Sequence, residues 1–325
     1  MKAAVYFENG GPEVLRYEEV PDPVPGVGEV LIDVEAIAIE GGDLLFRSMR
    51  RDDVGSAAPP PHCVGYSAAG TVAALGPATH GVAVGSRVAT FGFSGSHASR
   101  RIVRAEHCWA VPDGLDAIRA SCVPVAFGTA HEAIFEFGRL QAGQTVFVQG
   151  AAGGVALAAV QLAHRAGARV IGTGSDSRQL ALLGSYGLDH AINHRTGAVL
   201  DQVLALTDGK GVDLALDPVG GRAVDDVLRA TRYGGRVALV GLSSRERTSM
   251  DARLLLIRGL TMHGFMLSEH FGEPRVGAYL DALLARIAAG ELEVVIDRVF
   301  PLADAAEAHR RAETHGRVGR VVMTP

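Results

Sequence analysis

The stretch Thr145-Val-Phe-Val-Gln-Gly-Ala-Ala-Gly-Gly-Val-Ala-Leu-Ala-Ala-Val-Gln-Leu-Ala-His-Arg-Ala-Gly167 leaves the chain few options. Val146, Phe147 and Val148 form a continuous apolar run, as a strand covered on both faces requires. Gly150, Gly153 and Gly154 break the pattern, and Val155, Ala159, Val160 and Ala163 then recur at helical spacing. The order is therefore a strand, a glycine turn and a helix beginning near Gly153. Small residues at such a turn let the backbone come close to a diphosphate, and the helix N-terminus offers free N–H groups and positive potential. The dinucleotide fingerprint G-x-G-x-x-G is met as Ala151-x-Gly153-x-x-Ala156. Only the middle glycine is kept, and alanine is tolerated at the last position.

The segments C-terminal to this helix support a nucleotide domain. Ala168–Thr173 reads as a second strand, Ser177–Tyr186 as a helix, Asp213–Asp217 as a strand, Asp225–Thr231 as a helix and Gly235–Gly241 as another apolar strand. Strands alternating with helices imply a parallel, doubly wound sheet. The alternative is an α/β domain that binds no nucleotide. In front of this region the chain reads differently. Lys2–Phe7, Glu29–Ala38, Val64–Leu75 and Ser86–Phe93 suit short strands, with turn-rich links such as Pro21–Gly28 and Pro112–Leu115 between and after them. A chain of 325 residues has room for two domains. The expected class is α/β, with a mostly-β catalytic lobe over 1–118, rejoined by 268–325, and a doubly wound parallel sheet over 119–267.

Composition narrows the partners. The net charge of −5 provides no footprint for nucleic acid. No apolar run is long enough to span a membrane, and no terminal segment reads as a secretion signal, so a cytoplasmic protein is expected. Cys63, Cys108 and Cys122 are far apart and odd in number, which suits buried thiols in a reducing compartment. His62 beside Cys63 and His107 beside Cys108 read as surface histidines next to core cysteines, because no further ligands fall at metal-binding spacing. His131-Glu132 is followed by Phe135, so H-E-x-x-H fails. There is no G-x-S-x-G elbow either.

Several segments together resemble the medium-chain dehydrogenase/reductases, in their zinc-independent quinone oxidoreductase branch. They are Met1–Val5, Gly10–Leu15, Val20–Pro25 with Gly28–Leu31, Pro124–Ala130, Ala152–Val155 with Gln161–Ala163, Gly167–Thr173 and Gly319–Val322, in the family's order. The resemblance implies a GroES-like first lobe, a Rossmann lobe and return of the last segment to the first lobe. It also implies a homodimer formed edge to edge through the last Rossmann strand, here within Arg258–Met266. Zinc-dependent relatives carry Gly-His-Glu where this chain has Gly65-Tyr66-Ser67. Tyrosine and serine are poor zinc ligands, and the four-cysteine structural lobe is missing, so no zinc is expected.

The resemblance further implies NADP as cofactor, with contacts from Thr129, Ala152, Gly153, Gly154, Val155, Ser175, Arg178, His194, Gly241, Leu242 and Phe265. An NAD site usually ends its second strand with a carboxylate for the ribose 2′-hydroxyl. Gly174 stands there, Ser175 can donate to a 2′-phosphate and Arg178 can pair with it. NADPH is therefore favoured over NADH. Asp176 is discordant, since a nearby carboxylate costs binding unless it turns to solvent. Arg178 could alternatively be an ordinary exposed arginine.

At the reacting end, the family's Asn-x-x-Asp pattern reads Glu40-Gly-Gly-Asp43. An amide can donate to a developing oxyanion, whereas an ionised carboxylate repels it. Glu40 could help if burial protonated it, or if it faced an amine or a bound water. It is expected either to line the pocket, tuning substrate choice or relaying a proton, or to be a loop glutamate pointing away. Tyr66 is a second hydroxyl donor or a buried structural tyrosine. Phe91, Phe93, Phe265 and Met266 are candidates for apolar pocket wall or core. The implied activity is metal-free hydride transfer from NADPH to a small quinone or α,β-unsaturated carbonyl. The alternatives are a non-catalytic NADPH-binding protein, redox-sensing or structural, and an alcohol dehydrogenase, which the missing zinc ligands disfavour.

Overall fold

The computed structural model describes residues 1–49 and 59–325. In chain order the strands and main helices are β1 (Lys2–Val5), β2 (Arg16–Glu19), β3 (Glu29–Ala38), α1 (Gly41–Ser48), β4 (Ser67–Leu75), β5 (Arg87–Phe91), β6 (Arg100–Arg104) and β7 (Cys108–Ala110). A helical stretch runs over 117–137. Then come β8 (Thr145–Val148), α2 (Gly154–Arg165), β9 (Arg169–Gly174), α3 (Ser177–Leu182), β10 (His190–Asn193), α4 (Val199–Leu206), β11 (Val212–Asp217), α5 (Val224–Ala230), β12 (Thr231–Leu239) and β13 (Thr261–Gly264). The chain ends with α6 (Pro274–Ala288), β14 (Ile296–Pro301), α7 (Ala305–Glu313) and β15 (Arg320–Thr324).

The chain forms two compact units. Unit one comprises Met1–Ala126, Ser268–Thr314 and Arg320–Pro325. Unit two comprises Phe127–Leu267 and His315–Gly319.

Unit two holds a six-stranded sheet in the order β10-β9-β8-β11-β12-β13, parallel throughout. This is the doubly wound order with its reversal between β8 and β11, the place where such sheets bind ligands beyond their carboxyl ends. The central strands β8, β9 and β11 are buried on both faces, which explains their apolar runs. Phe147, Ile171, Ala215 and Val237 pack with Val203, Val227 and Leu228 from the helices into one core. The strand expected at Gly235–Gly241 begins earlier, at Thr231, immediately after α5 ends at Ala230. Its first residue, Thr231, pairs with Val212, ahead of a register shift.

Unit one is mostly β. Its main sheet runs β14-β15-β3-β4-β5-β7, with β6 also paired to β3. β3 alternates as expected, with Val30, Ile32 and Val34 turned into a core shared with Val72, Val88, Val103 and Met323. The strand expected from Val64 starts at Ser67. β15 pairs antiparallel with β3 through Val322–Ala38 and Met323–Ile37. The C-terminus is thereby held beside the residues that lead into α1.

Candidate functional site

In unit two, β8 ends at a turn and α2 starts at Gly153, its N-cap, which has extended backbone and no capping side chain. Gly150 N–H donates to Thr173 Oγ1 at 3.0 Å, and Ala151 N–H to the Thr173 carbonyl at 2.7 Å. The turn is thus tied to the end of β9. Leaving the first N–H groups of α2 without a side-chain cap suits an anion from outside the chain. The alanine at fingerprint position Ala151 has a local cause. Its methyl is fully buried over Gly172, where an added Cβ would stand 2.8 Å from Ala151 Cβ and 2.7 Å from Leu188 Cδ1.

The end of β9 resolves the discordant carboxylate. Asp176, half-buried, caps α3, its Oδ1 accepting from Arg178 N–H at 2.8 Å and Gln179 N–H at 3.2 Å. Its charge is engaged by the helix end. The sequence held this signal, because Asp-Ser-Arg-Gln is an N-cap pattern. Arg178 is exposed in the first turn of α3, and Ser175 is half-buried. His194 N–H donates to the Gly174 carbonyl at 3.0 Å, which brings it to the same strand end. Asp217, at the end of β11, is buried. One of its carboxylate oxygens accepts from Val219 and Gly220 N–H groups, and Oδ2 has no partner among the described residues. Gly241 lies against the Pro218 carbonyl, and Leu242 is exposed. Phe265 packs on Phe137 with centroids 4.6 Å apart, while Met266 is exposed. Thr129 is buried in the helical stretch before β8.

Unit one contains the second group. Glu40 is the N-cap of α1, and Asp43 Oδ2 accepts from its N–H at 2.8 Å, one half of a capping box. Both side chains are buried. Glu40 does not point to solvent; it is paired as a carboxylate, with Oε1 2.5 Å from Nη2 of the buried Arg320. The same Nη2 donates to the Ile39 carbonyl at 2.9 Å. Burial opposes the charge of Arg320, but the Glu40 carboxylate outweighs it and holds the guanidinium more firmly protonated. Asp43 has no such partner for Oδ1. Burial pushes it up to about 8, against hydrogen bonding from the Glu40 N–H and with the help of the Glu40 charge. The shift favours the protonated carboxyl near neutral pH.

Tyr66 is half-buried between Phe46 and Phe91, with centroids 5.9 and 5.8 Å away. Its phenol is also raised, by burial first and then by Asp43 and Glu40. A Cβ on Gly42 would stand 2.6 Å from the Tyr66 hydroxyl, so glycine is what lets the phenol approach the first turn of α1. The start of α1 is therefore bordered by one ion pair, Glu40–Arg320, and by two groups held toward their protonated forms, Asp43 and Tyr66. Sequence reasoning missed Arg320, whose pairing with Glu40 has no local signal. Phe91 is core, packed on Phe271 at 4.3 Å, and Phe93 is exposed.

The remaining histidines and cysteines need correction. His62 and His107 are half-buried against aromatic rings, at Tyr6 and at Phe91 with Phe271. Cys122 is buried, but Cys63 and Cys108 are only partly so. Among the described residues, no three His, Cys, Asp or Glu side chains are grouped to hold a metal ion. Where zinc relatives offer imidazole and carboxylate, Tyr66 and Ser67 do not, and the neighbouring Glu40 is engaged by the Arg320 cation. This donor set does not fit zinc.

A GroES-like β lobe joined to a doubly wound parallel sheet is the plan of a class of dehydrogenases, and comparison with known proteins agrees. Residues 26–115 match the alcohol dehydrogenase GroES-like domain, and 154–285 match the family described as zinc-binding dehydrogenase. A quinone oxidoreductase of Lama guanicoe is 30% identical over 99% of this chain and 97% of its own length. A mycobacterial protein solved as a complex with NADPH is 31% identical, with full coverage of both chains and a TM-score of 0.92. A 2-haloacrylate reductase is 28% identical over 100% of this chain and 99% of its own, with a TM-score of 0.86. The chain belongs to the medium-chain dehydrogenase/reductase superfamily. Its branch is that of the quinone oxidoreductases.

Proposed function

We propose that the protein is an NADPH-dependent reductase that transfers hydride, without a metal, to a quinone or an α,β-unsaturated carbonyl. One observation supports the cofactor choice: Asp176, the carboxylate nearest the end of β9, is drawn to the N-terminus of α3, where its Oδ1 accepts from Arg178 and Gln179 N–H groups. Ser175, Arg178 and His194 would hold the 2′-phosphate. Ala152, Gly153, Gly154 and Val155 would hold the diphosphate, with Thr129, Gly241, Leu242 and Phe265 along the rest of the dinucleotide. The bound cofactor supplies the hydride. Reduction of a conjugated carbonyl leaves negative charge on its oxygen, which needs a donor and then a proton. Tyr66, half-buried beside the first turn of α1, would be that donor, with the buried Asp43 holding a proton next to it. Glu40 serves as counter-ion to Arg320. Residues 1–118 with 268–325 form the catalytic domain, and 119–267 the dinucleotide domain.

The quinone oxidoreductase and 2-haloacrylate reductase relatives support the substrate class, since each name describes reduction of an electron-poor conjugated system. We place the protein in the cytoplasm as a homodimer joined at β13. That strand is one edge of the sheet, and Tyr233, Leu256 and Ile257 are 74%, 81% and 66% exposed in the same unit. A second reading, a protein that binds NADPH without turnover, rests on Glu40 standing at the family's asparagine position without an amide to donate. The test is kinetic. Arg178→Ala should raise the KM for NADPH about tenfold while leaving that for NADH within about twofold, a difference of ~1.4 kcal/mol for one charge-assisted contact. Equal effects would remove the 2′-phosphate assignment. Tight NADPH binding without turnover on a panel of quinones and enones would favour the second reading.

A further inference from the structure

Arg101, in β6, is 1% exposed, and among the described residues no carboxylate pairs with it. Its donors go to backbone of unit one instead. Nη1 donates to the Tyr66 carbonyl at 2.9 Å and Nη2 to the Ser94 carbonyl at 3.1 Å, while Nε has no partner among the described residues. Around these carbonyls, residues 63–66 pair with 92–97 outside the regular strands. The N–H groups of Gly92, Gly95, Ser96 and His97 donate to the carbonyls of Tyr66, Cys63, Gly65 and Val64 at 3.0–3.2 Å. Phe93 and Ser94 stand out of this set, and the guanidinium spans them. A Cβ on Gly92 would overlap Nη2, so glycine is what lets the guanidinium lie against the chain. Two carbonyls could be satisfied by neutral donors. Burying an unpaired cation for the purpose is costly, and departures of this kind are kept where function needs them.

We propose that Arg101 is the positioning residue of the Tyr66 phenol: by gripping the Tyr66 and Ser94 carbonyls in one planar fork, it fixes the pose from which Tyr66 donates to the acceptor's developing oxyanion. The inference rests on the reading of Tyr66 as that donor and adds to it the residue that orients the donor. The Tyr66 carbonyl is the last before β4, and Gly65 on its other side has φ +118°, a conformation that restrains the chain little. Holding the carbonyl therefore sets the direction of the Tyr66 side chain, and Phe46 and Phe91 set its ring. Burial lowers the basicity of Arg101 to about 10, with Cys63, Cys108 and Asp43 opposing, so the fork stays charged at neutral pH. Its hydrogen bonds are charge-assisted and fixed in one plane. Lysine keeps the charge but has no planar fork, so it does not hold both carbonyls in this geometry. A phenol out of place costs rate more than affinity, because its bond strengthens as the oxyanion forms.

Steady-state kinetics with cyclohexenone and naphthoquinone as acceptors, on a double-mutant cycle of Arg101→Lys and Tyr66→Phe, separate orientation from support of the fold. Arg101→Lys should lower kcat about tenfold, with the KM for acceptor and the affinity for NADPH within about twofold of the wild type. In the Tyr66→Phe background the same change should cost less than about twofold, since no phenol is left to misplace. Gly92→Ala keeps the charge and the donors but crowds Nη2. It should reproduce the pattern with a loss of about threefold, and it carries the cycle alone if Arg101→Lys does not fold. The emission maximum of Trp109, the single tryptophan of the sequence, packed 5.2 Å from Phe271 in the same unit, reports that each variant is folded. An undiminished kcat, or equal losses with and without the phenol, would overturn the inference and leave the donor reading standing. Tyr66→Phe turning over at the wild-type rate would overturn the donor reading itself.

Discussion

Nη1 of Arg47 donates to Nδ1 of His309 across 2.7 Å, in a fully buried position. A guanidinium only donates, so Nδ1 must accept and the His309 proton sits on Nε2. His309 Nε2 meets His97 Nε2 at 2.8 Å, and His97 Nδ1 meets Ser96 Oγ at 3.2 Å. The proton order is therefore set along the whole chain, with both histidines neutral. Arg47 also pairs with Glu313 at 2.5 Å. The end of α1 is thus fastened to α7 while its beginning is fastened to β15 by Glu40 and Arg320. The helix bearing Asp43 is clamped at both ends.

This order makes the fold sensitive to acid. Burial drives His97 down to about 3, with Arg101 and Arg47 adding to the effect, and burial likewise drives His309 well below its ordinary value. The unfolded chain takes up these protons below about pH 6.5 and the folded one does not. The stabilisation is complete above that pH and is lost progressively as pH falls toward 3. Each histidine should cost roughly 2 kcal/mol between pH 6.5 and 5. Unfolding free energies at the two pH values, for the wild type and His97→Gln/His309→Gln, check this. The variant should lose less on acidification, and equal losses would contradict the buried neutral pair.

Removing one member of the Glu40–Arg320 pair should be costly. Glu40→Ala leaves a buried guanidinium unpaired and should destabilise the protein by about 3–5 kcal/mol, whereas Glu40→Leu/Arg320→Met should recover most of that loss. Glu40→Gln should lower Tm and, by removing a charge that raises Asp43, move the alkaline limb of the kcat–pH profile to lower pH. Unchanged stability with an altered profile would make Glu40 a substrate-facing group instead.

Asp43 gives the opposite pH signature. Its folded value near 8 lies above the unfolded one, so the folded state holds an extra proton between about pH 4 and 8 and loses stability as pH rises across that window. Between pH 6.5 and 8, where the two histidines no longer contribute, stability should fall by ~1.4 kcal/mol per pH unit at most. Asp43→Asn can still accept from the Glu40 N–H and should flatten this slope. If Asp43 supplies the proton, kcat should decline through about pH 8 in the wild type and lose that limb in the variant.

How far the sequence could be read depended on the range of the interaction. The strand, turn and helix at 145–165 were legible because apolar runs, glycines and helical spacing are all local. So was β3, whose alternation matches its buried face. Arg320 and Glu40, or Arg47, His309 and His97, come together only after the sheets close, and nothing near any of them in sequence announces a partner. The same holds for Arg101, which meets the Tyr66 and Ser94 carbonyls from β6. Asp176 was a different matter. Its capping role was written in the residues after it, yet the resemblance directed attention to its charge.

The altered fingerprint yields a packing prediction. Ala151 fills the space that Gly172 leaves open, and Leu188 closes the other side. Gly172→Ala puts a methyl inside both contacts and should cost ~1–3 kcal/mol, as overpacking of a close-fitted core does. Ala151→Gly alone removes the buried methyl, opening a small void and adding backbone freedom at the turn, and should cost about 1 kcal/mol. Combining the two restores room on one side only, because the contact with Leu188 remains. The double variant should therefore be more stable than the sum of the single losses predicts, by ~0.5–2 kcal/mol, without regaining the wild-type value. Chemical denaturation of the four proteins reads the coupling. Strict additivity would mean that the two positions do not share this space and that the alanine at the turn has some other cause.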